Sequence, residues 1–243
     1  MRGSPFVLAD HGDCPYLPDR HWVSALIQVQ EASPPELHHL IEMGFRRVGN
    51  QFYSPLCEGC QACISLRIAV EQFKPNKNQR QIARRNQDLV MTVEPAVYRD
   101  EYFELYRRYQ AARWKSQPED LDRDRFQRSY YEQPGKAVNF CYREHGKLVG
   151  LSIVDVTPEA ASSVYFVWDT DPRRSLGIYS VLQEIEWCRQ TSRSHLYLGL
   201  YVEGCASMDY KTSFQPHQRR YRGQAWMDRP ETGWPSWREG VSP

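Results

Sequence analysis

Apolar and polar positions along this chain follow two periods, and each period predicts a different kind of element. Val23–Gln30 has strand composition, with polar punctuation after it. Over Pro35–Met43 the pattern turns helical, with proline in the first turn, Ser33 as a candidate cap and Gly44 as the stop. Ser65–Phe73 alternates again, with Leu66, Ile68 and Val70 on one side. Lys77–Asp88 predicts a helix carrying Lys77, Arg80 and Arg84 on one face, and Leu89–Val93 predicts a strand. Tyr102, Tyr106, Tyr109 and Arg113 recur at helical spacing over Asp100–Trp114, and Phe103 and Leu105 widen the stripe. Another helix is predicted over Asp122–Tyr131. Strands follow at Ala137–Tyr142, Leu148–Val156 and Ser163–Trp168, with a turn at Glu144–Lys147. The last predicted elements are a helix over Leu176–Thr191, a strand over Leu196–Val202, a helical turn over Ala206–Lys211 and a strand over Gln218–Met227.

This mixture predicts an α/β (α+β) protein with a mixed, largely antiparallel sheet. In the second half the order is helix, helix, three strands, helix, strand, which is similar to the acetyltransferase-like (GNAT) fold. Two units are expected. Residues 1–95 form an N-terminal unit with clustered cysteines and a basic run, and residues 96–243 form a GNAT-like unit. No internal repeat or low-complexity tract interrupts either.

With 243 residues the chain can bury a real core and needs no disulfide staples. Its net charge is only +1, so any contact with a polyanion has to come from a local patch. Met1–Leu8 lacks a long apolar run, and no stretch is long enough to span a membrane. Seven cysteines, an odd number, with no export signal point to reduced thiols and a cytoplasmic location.

Cys57, Cys60 and Cys63 stand at even spacing, and Cys14 lies far upstream. Four soft ligands suit zinc or an iron–sulfur cluster. The same cysteines also suit an irregular packed region, where thiols serve as small hydrophobes. Lys77, Arg80, Arg84 and Arg85, with Lys74 nearby, face only one acid in their window, Asp88. Such a cluster can hold a phosphate backbone without reading sequence, or simply be a solvated helix face. At Arg174-Ser175-Leu176-Gly177-Ile178-Tyr179 a strand gives way to a helix whose first amides are unpaired. Arg-x-x-Gly is similar to the coenzyme A loop of acetyltransferases, but Tyr179 is too large for close approach of a pyrophosphate. Further on, Tyr201 is a candidate proton relay and Lys211 a candidate to orient an ester or phosphate. A core tyrosine and a surface lysine are the plainer readings of the same two residues.

These pieces occur together in one family. Cys14-Pro-Tyr-Leu-Pro-Asp-Arg20, Gly44-Phe-Arg-Arg47, the Tyr53–Cys63 segment, Arg85-Asn86, Ser175-Leu-Gly177, Tyr197-Leu-Gly199 and Met208-Asp-Tyr-Lys211 carry the match. On them the chain resembles the aminoacyl-tRNA–protein transferases of the arginyltransferase family, and most of all their bacterial aspartate/glutamate leucyltransferase branch. The resemblance implies transfer of leucine from leucyl-tRNA to proteins with N-terminal Asp or Glu, which marks them for N-end rule degradation. It implies Tyr201, Lys211 and Gly177 at the chemistry, and a donor pocket of Tyr165, Trp168, Asp169, Ser175, Leu176 and Tyr179. Lys77, Arg80, Arg84 and Arg85 would hold the tRNA, and Arg20 and Arg67 the acidic acceptor. The reaction itself requires no cofactor, although Cys14, Cys57, Cys60 and Cys63 could carry zinc or a cluster. Two alternatives stand beside this one: an acetyl-coenzyme A N-acetyltransferase, and a non-catalytic metal- or nucleic-acid-binding module.

Overall fold

Long alternating strands need a covered face, and in the computed structural model they find it in two sheets. The structure describes residues 1–114, 120–171 and 173–236. The first sheet has five strands: β1 (Arg2–Gly3), β2 (Val7–Asp13), β3 (His21–Glu31), β4 (Arg46–Val48) and β5 (Gln51–Pro55). Its order is β1-β3-β5-β4, with β2 also pairing β3. Helix α1 (Pro34–Glu42) lays Leu37, Leu40 and Ile41 against Ile27, Val29 and Phe52. At its start the Glu36 carboxylate accepts from the Ser33 N–H (2.9 Å) and Oγ (2.7 Å), which ties down the first turn.

The second sheet has seven strands in the order β12-β6-β11-β10-β9-β8-β7. These are β6 (Cys63–Ala69), β7 (Val90–Pro95), β8 (Ala137–Glu144), β9 (Lys147–Val156), β10 (Ala160–Trp168), β11 (His195–Val202) and β12 (His217–Arg220). All pairs are antiparallel except β10 and β11. α5 (Leu176–Gln190) makes the crossover between that parallel pair and covers one face. α3 (Asp100–Trp114) and α4 (Arg123–Tyr131) cover the other. β9 therefore has layers on both sides, and every residue from Leu148 to Val156 is buried. From residue 100 on, two helices, three antiparallel strands, a helix and a parallel strand follow in the expected order, and β7, expected in the first unit, pairs with β8 at the sheet edge.

The change of sheet falls between β5 and β6. Residues 63–95, including α2 (Lys77–Arg85), thus build onto the seven-stranded sheet, and β6 lies between β11 and β12. The strand expected over Gln218–Met227 is shorter: β12 ends at Arg220, and only Arg219 bridges Met227.

The sheets are tied by a buried ion pair. Arg47 on β4 donates from Nε (2.6 Å) and Nη2 (2.5 Å) to the Asp155 carboxylate on β9. Their side chains are only 1% and 4% exposed. Removing one partner leaves a bare charge in the interior. Arg47→Met is therefore expected to lower unfolding free energy by about 3–5 kcal/mol. Urea denaturation measures this, and a loss under about 1 kcal/mol, the range of a surface pair, would show that the pair is solvated.

Candidate active site in the fork between two strands

β10 and β11 pair over three residues only, Ala160–Ser162 against His195–Tyr197. Beyond that point β10 is irregular between Ser163 and Tyr165 in its pairing with β9, and β11 between Tyr197 and Gly199 in its pairing with β6. Pairing stops and a fork opens. Backbone carbonyls at its base need donors, and Arg46 of β4 supplies them. Its guanidinium donates to Ser162 Oγ (3.1 Å) and to the carbonyls of Ser163 (2.6 Å) and Val164 (3.2 Å). On the far side it presses against Gly199, where φ is +73° and a Cβ would lie 2.6 Å from Arg46 Cζ. Only glycine satisfies both demands.

Lys211 stands one residue further along the fork, on the short 3₁₀ turn Asp209–Ser213. Its Nζ donates to the Leu200 carbonyl (2.6 Å). Burial, with the nearby charge of Arg46, pushes its pKa down to about 7. Tyr16 and Tyr53 approach Arg46 from the N-terminal half, and burial raises both hydroxyls. Tyr210 has its hydroxyl pushed up to about 12 by burial and then by Glu184. Glu184 on α5 is fully buried; Ser152 Oγ donates to its Oε1 (2.5 Å), and its Oε2 has no partner among the described residues. Burial raises this carboxyl to about 7.

An aromatic wall lines the β10 side. Tyr165 stacks on Tyr130 with ring centres 4.6 Å apart and accepts from Gln110 Nε2 (3.0 Å). Trp168 stacks on Phe166 at 5.1 Å and lies 4.7 Å from Tyr109.

Several expected site residues do other work. Tyr201 is buried beneath the Arg219 guanidinium (5.0 Å), and its neighbours are Arg219, Asp209 and Glu203 rather than Lys211. Leu176 and Tyr179 belong to the core under α5. Asp169 is engaged by Arg108 and Lys147, each at 3.0 Å. Ser175 occupies the N-cap position with φ +51° but makes no side-chain cap. Gly177 faces open space, since a Cβ there would meet nothing within 4 Å. Arg67 is claimed by Glu42 (2.7 Å), by Gln218 and by the Trp226 ring (4.4 Å), so it is not available to an acidic acceptor. Arg20 is exposed just before β3, and its carbonyl accepts from the Cys14 N–H (2.8 Å).

The four cysteines do gather. Cys57, Cys60 and Cys14 all bear on Cys63, and burial followed by these neighbours pushes its thiol up to about 12. Cys57 Sγ, however, faces the backbone of Val23 at 3.4–3.5 Å. Among the described residues no three Cys, His, Asp or Glu side chains converge closely enough to hold a metal ion.

Helix α2 keeps Lys77, Arg80, Arg84 and Arg85 exposed, and none of them forms an ion pair among the described residues. Its start is fixed by a reciprocal cap between Asn76 and Gln79 (2.9 Å each way). Its end holds the loop before α5: Arg85 donates to the Arg173 carbonyl and Asn86 to that of Arg174. The basic face thus adjoins the loop leading to Gly177.

Arg46, Glu184, Tyr16, Tyr53 and Tyr210 are site residues that the pattern of the sequence does not single out. Glu184 left one signal. It is an acid at an inward position of α5, among Ser180, Val181, Ile185 and Cys188.

No helix among the described residues is long and apolar enough to cross a membrane. Two solved structures share the fold: the C-terminal domain of an Agrobacterium fabrum protein named as a lysylphosphatidylglycerol synthetase, and L-PGS from Bacillus licheniformis. Their TM-scores are 0.52 and 0.51, each at 15% identity, covering 79% and 68% of this chain and 65% and 62% of theirs. Much nearer in sequence are proteins named aspartate/glutamate leucyltransferase. The one from Chromohalobacter salexigens is 36% identical over 87% of both chains. The one from Marinobacter nauticus is 36% identical over 89% of this chain and 92% of its own. The one from Hahella chejuensis is 32% identical over 90% and 94%. Residues 12–81 match the N-terminal profile of the arginine-tRNA-protein transferases and residues 101–221 the C-terminal profile. The chain belongs to the arginine-tRNA-protein transferase family.

Proposed function

We propose that this enzyme is an aminoacyltransferase that moves leucine from leucyl-tRNA onto proteins whose N-terminal residue is Asp or Glu. The observation that carries the reading is Lys211, a half-buried lysine held on the Leu200 carbonyl (2.6 Å) in the fork beside Arg46, with burial lowering its pKa. Relatives at about a third identity bear the same leucyltransferase name along nearly their whole length. The donor is an activated ester, so positioning and one proton acceptor suffice without a covalent enzyme intermediate. The acceptor amine forms a bond to the leucyl carbonyl carbon while the bond from that carbon to the ribose oxygen breaks. One proton leaves the nitrogen for Lys211 Nζ and passes on to the ribose oxygen. The open space at Gly177 and the aromatic wall of Tyr165 and Trp168 suit the aminoacyl end. The basic face of α2 suits the tRNA backbone.

The decisive assay mixes the full chain with charged tRNAs and peptides beginning with Asp, Glu, Lys or Ala. Leucine is expected to pass from leucyl-tRNA to the Asp and Glu peptides. Arginine transfer without leucine transfer would overturn the donor assignment.

Lys211 accepts a proton only when neutral, so the rate is expected to rise tenfold per pH unit up to about 7 and then level. Lys211→Met is expected to lose on the order of 10²-fold at pH 8 and to lose that limb, keeping only the titration of the acceptor's own amine. A variant that retains the limb at about 7 would remove Lys211 from the chemistry.

Phosphate contacts release counterions. Replacing Arg80 and Arg84 together by Gln is expected to flatten the log–log salt dependence of tRNA binding by about 1.5. An unchanged slope would return α2 to a solvated face.

A further inference from the structure

We propose that Arg46 is the residue that reads the acceptor's acidic side chain; this rests on the transfer reading above. Arg46 occupies the base of the fork, beside Lys211, where an acceptor amine must arrive. Its hydrogen bonds go to neutral oxygens only, those of Ser162, Ser163 and Val164. Among the described residues it has no carboxylate partner. Arg47 is neutralised by Asp155, Arg67 by Glu42, Arg143 by Glu101, and Arg174 by Asp88 and Glu144. Arg193, Arg220 and Arg222 are half-buried and likewise donate to neutral partners, but these are Thr157 and Thr191, Met43 and Cys57, none of them in the fork. Arg219 also lacks an acid, but it is closed between the rings of Tyr201 (5.0 Å) and Trp234 (4.4 Å). A half-buried guanidinium without a counter-charge is costly to keep. The cost is offset when an anion joins it, and a guanidinium matches the planar geometry of a carboxylate.

The acceptor supplies that anion. In an N-terminal Asp the carboxylate and the α-amine hang from the same short stem, so holding the carboxylate on Arg46 delivers the amine to the adjacent Lys211. Glu carries the same carboxylate one methylene further out, and the Tyr16 and Tyr53 hydroxyls lie within the electrostatic reach of the guanidinium.

The test compares an isosteric pair of acceptor peptides, beginning with Asp and with Asn, using leucyl-tRNA and the full chain. Wild type is expected to favour Asp strongly. Arg46→Met is expected to lose on the order of 10²-fold in kcat/KM for the Asp peptide and to bring the two peptides within a few-fold of each other. Arg46→Lys keeps a charge without the planar fork and is expected to restore part of the preference. Arg46 also holds the sheet, so a second measurement uses wild type alone. Phenylglyoxal modification, mapped by mass spectrometry, is expected to be blocked at Arg46 by the Asp peptide and not by the Asn peptide. Equal protection by both peptides, or an Arg46→Met protein that keeps the full Asp-over-Asn ratio, overturns the proposal. Wild-type protein that transfers leucine to neither peptide overturns the transfer reading instead, while selective protection by the Asp peptide would still support carboxylate binding at Arg46.

Discussion

Parallel pairing that stops after three residues is the constraint on which the rest of this molecule turns. A ladder that ends inside a protein strands its next carbonyls, and a buried carbonyl without a donor costs free energy comparable to a lost hydrogen bond. The chain does not extend the ladder. It brings an arginine from a different sheet to satisfy Ser163 and Val164. That choice sets a positive charge at the base of the opening. The charge in turn helps to hold Lys211 near neutrality. One gap in a ladder thus brings a cation and a buried lysine together in the candidate site.

Arg46 and Arg47 show how a strand divides labour between its faces. Side chains alternate in direction along a strand. On one face Arg47 is buried against Asp155 and fully paired, which suits a residue that joins two sheets. On the other face Arg46 meets only neutral oxygens. The same residue type in adjacent positions is a structural tie in one case and an unneutralised cation in the other. Arg47 is buried and Arg46 half-buried, and among the described residues only Arg47 has an acid.

Most of the elements were legible because their periods are set by burial on one face. The helix over Asp100–Trp114 and the strand over Leu148–Val156 are found within a residue of where the pattern put them. The two-residue alternation of β6 was also legible, but not its place between β11 and β12, because partner choice depends on long-range packing that no local window contains. β2 was missed for the opposite reason: neither face is buried, so its residues carry no alternation to detect. In the site, Lys211 stood out by its position after a glycine turn. Arg67 stood out as a cation, and only the fold shows that Glu42 already neutralises it. Tyr201 could serve as relay or core, and the choice required knowing which side of β11 faces Arg219. Arg46 lay in plain sight in Gly44-Phe-Arg-Arg47, without any feature of spacing to separate it from its neighbour.

The fork also explains why the cysteine-bearing half cannot be read as a separate binding module. β10, β11, α5 and Lys211 belong to the second half of the chain. Arg46, Tyr16 and Tyr53 come from the first, on β4, on the loop between β2 and β3, and on β5. Cys63 opens β6, which is hydrogen-bonded along β11 from Ala69 to Cys63 itself. The thiol group therefore lies at the margin of the fork, next to the tyrosines that surround Arg46. Neither half contains a complete site. A lysine without Arg46 would be an ordinary basic amine in a wider gap, and Arg46 without the fork would have no stranded carbonyls to satisfy. The candidate site depends on the five-stranded sheet being held against the seven-stranded one, and Arg46 on β10 and Arg47 on Asp155 of β9 are part of what joins them.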